Sequence, residues 1–238
     1  MNPEEQLVND RIAKIKRLKE KGIEPYPYNF DKKNDAIDLF SKFNSLNAGE
    51  HSKSKVKVAG RMLSLRLMGG AAFAHILDNT GKIQLYFAKN NLKNYKDLKL
   101  FDMGDFIGVE GVIFKTKKGE LSIEVKKFKL LSKSLRPLPE KWHGLQDTEI
   151  RYRKRYLDFI SNPEVKQVFE KRAKILSLIR QFMEKKGFVE VDIPVLQPIY
   201  GGASAKPFKT HINAWDLDLF LSISPELYLK RLIIGGFE

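Results

Sequence analysis

Lys55-Val56-Lys57-Val58-Ala59-Gly60 alternates charged or small residues with apolar ones at a period of two, and four further runs continue the pattern. They are Ala72 to Leu77, Lys82 to Phe87, Phe106 to Phe114 and Leu121 to Leu131. A period of two places successive side chains on opposite faces of a pleated strand, so each run is predicted to be a half-buried β-strand. Asp78-Asn79-Thr80-Gly81 and Lys117-Lys118-Gly119 supply the residues that tolerate tight turns, which joins the second run to the third and the fourth to the fifth. A helical interruption from Asn90 to Leu100 precedes the fourth run. Five strands with a helix between the third and fourth is the order of an oligonucleotide-binding (OB) barrel.

Upstream the period lengthens. Asn2 as N-cap and Pro3 at the first helical position predict a helix that stops at Gly22. Leu7, Arg11, Ile12, Ile15 and Leu18 fall on one stripe, and Lys14, Lys16, Arg17, Lys19 and Lys21 crowd the rest. After the turn segment Pro25-Tyr26-Pro27-Tyr28, a second amphipathic stretch carries Ile37, Leu39, Phe40, Phe43 and Leu46.

Downstream, Arg136-Pro137-Leu138-Pro139 and His143-Gly144 interrupt any period and mark a linker. Ser161-Asn162-Pro163-Glu164 then reads as a capping box opening a long helix, with Val165, Val168, Phe169, Ile175, Ile179 and Phe182 on its apolar face and Gly187 at its end. Phe188-Val189-Glu190-Val191 reads as a short strand, and Phe220-Leu221-Ser222-Ile223 as another that runs into a helix capped by Ser224 and ended by Gly235-Gly236. The expected organisation is a basic helical segment at 1–52, a barrel at 53–132, a linker at 133–148 and the start of a second domain at 149–238.

Composition bounds the function. With 42% hydrophobic residues in 238 the chain can bury real cores, and 43 Lys and Arg against 29 Asp and Glu give a formal charge of +14. That excess suits a polyanionic partner such as nucleic acid and equally suits a well-solvated lysine-rich surface. The lack of cysteine excludes disulfides, thiolate metal sites and a cysteine nucleophile. The N-terminus shows no signal or transit peptide, and no apolar run approaches the roughly 18 residues of a membrane span, so a soluble cytoplasmic protein is expected. The four histidines are scattered, without the i, i+3 or i, i+4 spacing of a helical metal site.

Several residues have a plain reading and a sharper one. Gly201-Gly202 lacks the spacing of a phosphate loop and reads as a flexible turn, and Glu226 suits the first turn of any helix. Phe73, Gln84 and Glu120, on different strands or their turn, offer an aromatic face beside an amide and an acid, which could stack on and edge-read an unpaired base. Singly, Phe73 reads as core and Glu120 as hairpin surface. Arg61 and Arg66 add charge near the same face. Arg151-Tyr152-Arg153-Lys154-Arg155-Tyr156 suits phosphate contact and equally a partly buried helix with snorkelling cations.

Longer strings are more specific. Val58-Ala59-Gly60-Arg61-Met62, Gly119-Glu120-Leu121-Ser122, Leu135-Arg136-Pro137-Leu138-Pro139, His143-Gly144-Leu145-Gln146-Asp147, Arg155-Tyr156-Leu157-Asp158 and Pro225-Glu226-Leu227-Tyr228-Leu229-Lys230-Arg231 occur in the order of the bacterial-type class II lysyl-tRNA synthetases. The whole chain resembles the N-terminal portion of that family. The resemblance implies an α+β protein: a five-stranded OB-fold β-barrel with flanking helices, then the beginning of an antiparallel-sheet catalytic domain that is incomplete. It implies that Phe73 stacks on an anticodon base, that Gln84 and Glu120 read base edges, and that Arg66 assists. It implies that Gly187, Phe188 and Pro194 belong to the first class II signature, used at a homodimer interface. Gly202, through its carbonyl, and Glu226, through its carboxylate, match positions that hold the α-ammonium group of L-lysine, a cation that would be costly to bury unpaired.

Tyr200 stands where the family usually has proline, and Ser224 where it usually has alanine. The chain reaches Gly235-Gly236-Phe237-Glu238 before the second signature, whose arginine contacts ATP, so the resemblance implies that this stretch holds no catalytic residue and no Mg2+ ligand and does not catalyse by itself. The expected partners are tRNA(Lys), L-lysine, ATP and a second copy of the chain, with ATP and Mg2+ required by the full-length parent. The expected parent reaction joins lysine to AMP by in-line attack on the α-phosphorus and passes the lysyl group to tRNA, by positioning and charge neutralisation. A non-catalytic tRNA-binding module, or a sister synthetase for aspartate or asparagine, is the alternative.

Overall fold

A computed structural model describes residues 2–139 and 145–237. The chain divides into two compact units, Met1–Ser161 and Asn162–Glu238.

In the first unit, helix α1 (Pro3–Glu20) starts as its sequence demands: Asn2 accepts from the Glu4 amide and Glu5 reaches back to the Asn2 amide. Its stripe is narrower than expected. Leu18 and Arg11 are buried, whereas Leu7 and Ile12 stay exposed. Arg11 donates to the carbonyls of Ser134 and Arg136 at 2.9 and 3.0 Å, fixing α1 to the chain that leaves the barrel. Helix α2 (Ala36–Phe43) buries Leu39 and Phe43 and leaves Ile37 and Phe40 exposed.

Strands β1 (His51–Met68), β2 (Ala71–Leu77), β3 (Lys82–Ala88), β4 (Phe106–Lys115) and β5 (Leu121–Ser132) form a closed barrel in the order β1-β2-β3-β5-β4. The pair β3–β5 is parallel and all others are antiparallel. The first half of β1 pairs with β4 and the second with β2. Gly60 sits where the partners exchange, and a Cβ there would lie 2.7 Å from the Leu77 carbonyl oxygen, so only glycine lets the strands come this close. A bulge between Met62 and Ser64 then bends the strand around the barrel. Even-numbered residues of β2 and odd-numbered residues of β3 point inward, so Ala72, Ala74, Ile76, Ile83, Leu85 and Phe87 fill the core. Each large one contributes roughly 1.5–3 kcal/mol through removal from water. The predicted helix before β4 is instead two 3₁₀ turns, Lys89–Asn91 and Tyr95–Leu100, whose Leu98 closes the barrel end.

A buried ionic cluster ties this end together. Lys133, wholly inaccessible, donates to both carboxylate oxygens of Asp105 at 3.0 and 2.8 Å and also to Asp102. Burial pushes the Asp105 carboxyl up, and Lys133 opposes that push. Two short helices, α3 (Thr148–Arg153) and α4 (Arg155–Ser161), complete the unit. Here the basic cluster is a structural clamp, since Arg151 and Arg155 both donate to the buried Asp158. Tyr152 and Tyr156 remain exposed. His143 and Gly144 lie outside the described residues, as do Met1 and Glu238.

In the second unit, helix α5 (Pro163–Lys185) forms where the periodicity placed it. The expected Ser161 cap does not, because Ser161 ends α4 and the N-cap position falls to Asn162. Gly187 follows with φ +87°, the left-handed turn that favours glycine. No residue of α5 is buried, and Val168, Ile175, Ile179 and Phe182 are each more than half exposed. Phe188 to Val191 has no ladder partner among the described residues and forms no strand, since an isolated extended segment has nothing to satisfy its backbone groups. A three-stranded antiparallel sheet does form, β6 (Leu196–Gln197) beside β8 (Leu217–Leu221) beside β7 (Lys209–Ile212). Helix α6 (Glu226–Ile234) follows, with Ser224 Oγ accepting from the Glu226 amide at 3.3 Å.

Candidate anticodon-binding face

The residues singled out on the barrel share its outer face. Across the strands, Arg66 on β1 is opposite Phe73 on β2, and Phe73 is opposite Tyr86 on β3. The Phe73 and Tyr86 rings lie 5.1 Å apart, tilted by 41°. Two residues along, the next outward row runs Ser64, His75, Gln84, Ser122 across β1, β2, β3 and β5. Phe73 is thus half-buried on the outer wall, not in the core.

Glu120 joins this row from the β4–β5 turn. Its Oε2 accepts from Gln84 Nε2 at 2.7 Å, and its Oε1 lies 2.8 Å from His75 Nε2. A carboxylate only accepts, so His75 donates through Nε2. Its Nδ1 is 3.0 Å from the Ser64 hydroxyl. Gln84 is buried, and its Oε1 accepts from Ser122 Oγ at 2.8 Å, which fixes the amide with its Nε2 toward Glu120. The result is an oriented acceptor and an oriented amide beside an aromatic surface, a combination able to stack one base and bond its edge. The sequence singles out none of His75, Tyr86, Ser64 and Ser122 as a site residue. The available signal was parity, because His75 lies two residues from Phe73 on one strand and Tyr86 two from Gln84 on the other.

Arg61 does not join the face. Its guanidinium sits 4.4 Å over the Phe106 ring and donates to the Gly104 carbonyl at 3.2 Å, and burial pulls its pKa down.

In the second unit, Gly202 and Glu226 meet. Gly202 has φ +82°, and a Cβ on it would stand 2.8 Å from Glu226 Cβ and 2.9 Å from Ser224 Oγ. Besides turning the chain, the backbone at Gly202 is pressed against the Glu226 side chain. Glu226 Oε1 accepts from Lys230 one helical turn on, so its carboxylate faces a cation already. Tyr200 packs on Phe220, ring centroids 4.8 Å apart. Phe188 and Pro194 are exposed, and the Pro194 carbonyl accepts from the buried Gln197 amide at 3.0 Å. Among the described residues no cluster of three or more His, Cys, Asp or Glu side chains could hold a metal ion.

Comparison with known proteins matches this layout. Residues 56–131 match the family described as OB-fold nucleic acid binding domain, and residues 147–238 match tRNA synthetases class II (D, K and N). Over 235 residues the chain is 52% identical to the lysine–tRNA ligase of Pelotomaculum thermopropionicum, covering 98% of this chain and 46% of that protein. Nearly the whole chain is similar to the N-terminal portion of lysine–tRNA ligases. The lysine–tRNA ligase of Carboxydothermus hydrogenoformans is 50% identical over 98% of this chain and 47% of its own length, and that of Thermotoga maritima 49% identical over the same shares. The chain spans about half the length of these ligases and corresponds to their N-terminal portion. The matches cover an OB-fold nucleic acid binding domain and part of a class II tRNA synthetase domain.

Proposed function

We propose that this chain supplies anticodon recognition to a ligase that joins L-lysine to tRNA(Lys) at the expense of ATP. The observation that carries the reading is the Gln84–Glu120–His75 cluster beside the Phe73 ring, on the outer wall of a barrel whose family binds nucleic acid. Phe73 stacks on an unpaired anticodon base, Gln84 and Glu120 bond its edge, and Arg66, exposed and opposite Phe73, meets the adjacent phosphate. Exposed cations on α1, Lys16, Arg17 and Lys19, add sequence-independent attraction.

The second unit takes two further roles in this reading. Gly202 and Glu226 hold the α-ammonium of lysine, which would displace Lys230 from the carboxylate. The exposed apolar face of α5, with Gly187, Phe188 and Pro194, packs against a second copy. ATP and Mg2+ belong to the whole ligase, in the cytoplasm, and no residue of this chain is assigned to them. Among the described residues no helix is long and apolar enough to cross a membrane.

The test is titration of the whole chain with a stem-loop RNA carrying a lysine anticodon and with the same stem bearing a scrambled loop. The expected result is preference for the lysine loop, with affinity for both falling several-fold between about 50 and 200 mM salt. Equal affinity for the two loops overturns the reading.

A further inference from the structure

The aromatic surface of the barrel continues past the residues just assigned. Tyr86 meets Phe114 edge-on, with centroids 5.8 Å apart and planes at 62°, and Phe114 lies beneath His51, with centroids 5.0 Å apart and planes only 14° from parallel. Phe114 is 8% exposed, whereas the His51 side chain is 57% exposed. The flat imidazole therefore shows one face to solvent and rests its other on a buried ring.

Register places this stack in line with the base-reading row. His51 is opposite Phe114 on β4, Phe114 is opposite Ser122 on β5, and Ser122 is opposite Gln84 on β3. Neighbouring strands are roughly 4.8 Å apart, so His51 stands on the order of 14 Å from Gln84 along one row. A single OB fold tracks about 4–16 nucleotides, more than the one base that Phe73 covers. The local charge is tempered: Glu124 lies 3.6 Å from His51 Nδ1, and it also accepts from Lys126 and from Asn91 at 2.8 Å. A carboxylate so engaged repels an approaching phosphate less than a free one.

We propose that His51, backed by Phe114, is a second stacking platform that takes an unpaired RNA base neighbouring the one on Phe73. This rests on the anticodon reading above and extends it to an adjacent nucleotide. A stacked base is sequence-tolerant, so the platform adds affinity and fixes the path of the strand while Gln84 and Glu120 carry discrimination.

The experiment uses the whole chain and lysine-anticodon stem-loops in which one loop base at a time is replaced by an abasic residue. His51→Leu is expected to weaken the intact loop about five- to 140-fold, the range for one stacked base, and His51→Tyr to retain affinity. The His51→Leu loss should vanish on a loop lacking one particular base and persist on the loop lacking the base next to it, where the Phe73→Ala loss vanishes instead. No loss in His51→Leu, or a loss that survives every abasic position, overturns the platform. Should His51→Leu fail to fold, the unaltered chain still decides: affinity must drop when a neighbouring base is removed, and His51→Tyr must show the same drop. If the chain prefers no anticodon loop at all, the anticodon reading itself falls, whereas intact coupling at Phe73 without coupling at His51 removes the platform alone.

Discussion

Gln84 Nε2 donates to Glu120 Oε2 at 2.7 Å, joining a buried amide in the middle of β3 to an exposed carboxylate at the β4–β5 turn. With His75 on the other oxygen, Glu120 is held in one place before any ligand arrives. Preorganised groups lose less side-chain entropy when they bind.

Glu120→Gln keeps the shape and removes the charge, and it turns an amide N–H toward donors already present. Discrimination between the lysine loop and one with a changed anticodon is expected to fall by about 1.5–3 kcal/mol, the usual worth of a hydrogen bond to a charged group. The thermal midpoint should move little, because the side chain is at the surface. Titrations with the two loops check the first, and a melting curve the second.

Phe73→Ala should weaken the lysine stem-loop by about 1–3 kcal/mol. The ring is on the outer wall, so the core residues Ala72 and Ala74 on either side of it stay packed. The same loss on a scrambled loop would mean that the ring supports the strand and does not stack on a base.

Lys133→Met takes the ammonium away from the buried Asp105 carboxylate, whereas Asp102 keeps Lys14 at 2.6 Å. Removing one partner of a buried pair costs about 3–5 kcal/mol, because the remaining charge is uncompensated. Urea unfolding should show that loss, and adding Asp105→Asn should restore part of it. An unchanged midpoint in the single variant would mean that water or the neighbouring Lys14 replaces the ammonium.

Asp78 sets an acid limit. Burial would raise its pKa, but bonds from Lys32 at 2.8 Å and from the amides of Thr80 and Ala36 at 2.8 and 3.0 Å outweigh burial and hold it at about 2, below the ordinary 3.8. A depressed carboxylate pKa stabilises the fold above the unfolded value and ceases to as pH falls through the folded one. Stability should therefore decline between about pH 4 and pH 2, and Asp78→Asn should be less stable near neutrality with a flatter profile over that window. Urea midpoints at several pH values decide it.

The barrel was legible because its signal is local. Alternation in β2 to β5 reports which face of each strand is buried, and the turn residues mark where the chain reverses. The same signal misled at Phe188 to Val191, where alternation is present but no strand among the described residues pairs with it. It misled at Ser161 too, because one residue cannot both end α4 and cap α5. Strand β7 went unseen, since Lys209-Thr210-His211-Ile212 carries almost no apolar contrast and is held by its pairing with β8.

By itself the sequence determined the order of the five barrel strands and, through long collinear strings, the resemblance to lysine–tRNA ligases. Only the tertiary structure decided which side chains of the barrel meet. Strict alternation from Val56, Val58 and Met62 would turn Ser64 and Arg66 inward, yet the bulge between Met62 and Ser64 shifts the parity, so Leu65 packs on the core while Ser64 and Arg66 face out beside His75 and Phe73. One extra residue in a strand exchanges its two faces, and periodicity in a single strand cannot reveal that, because the pairing partner fixes where the extra residue is placed.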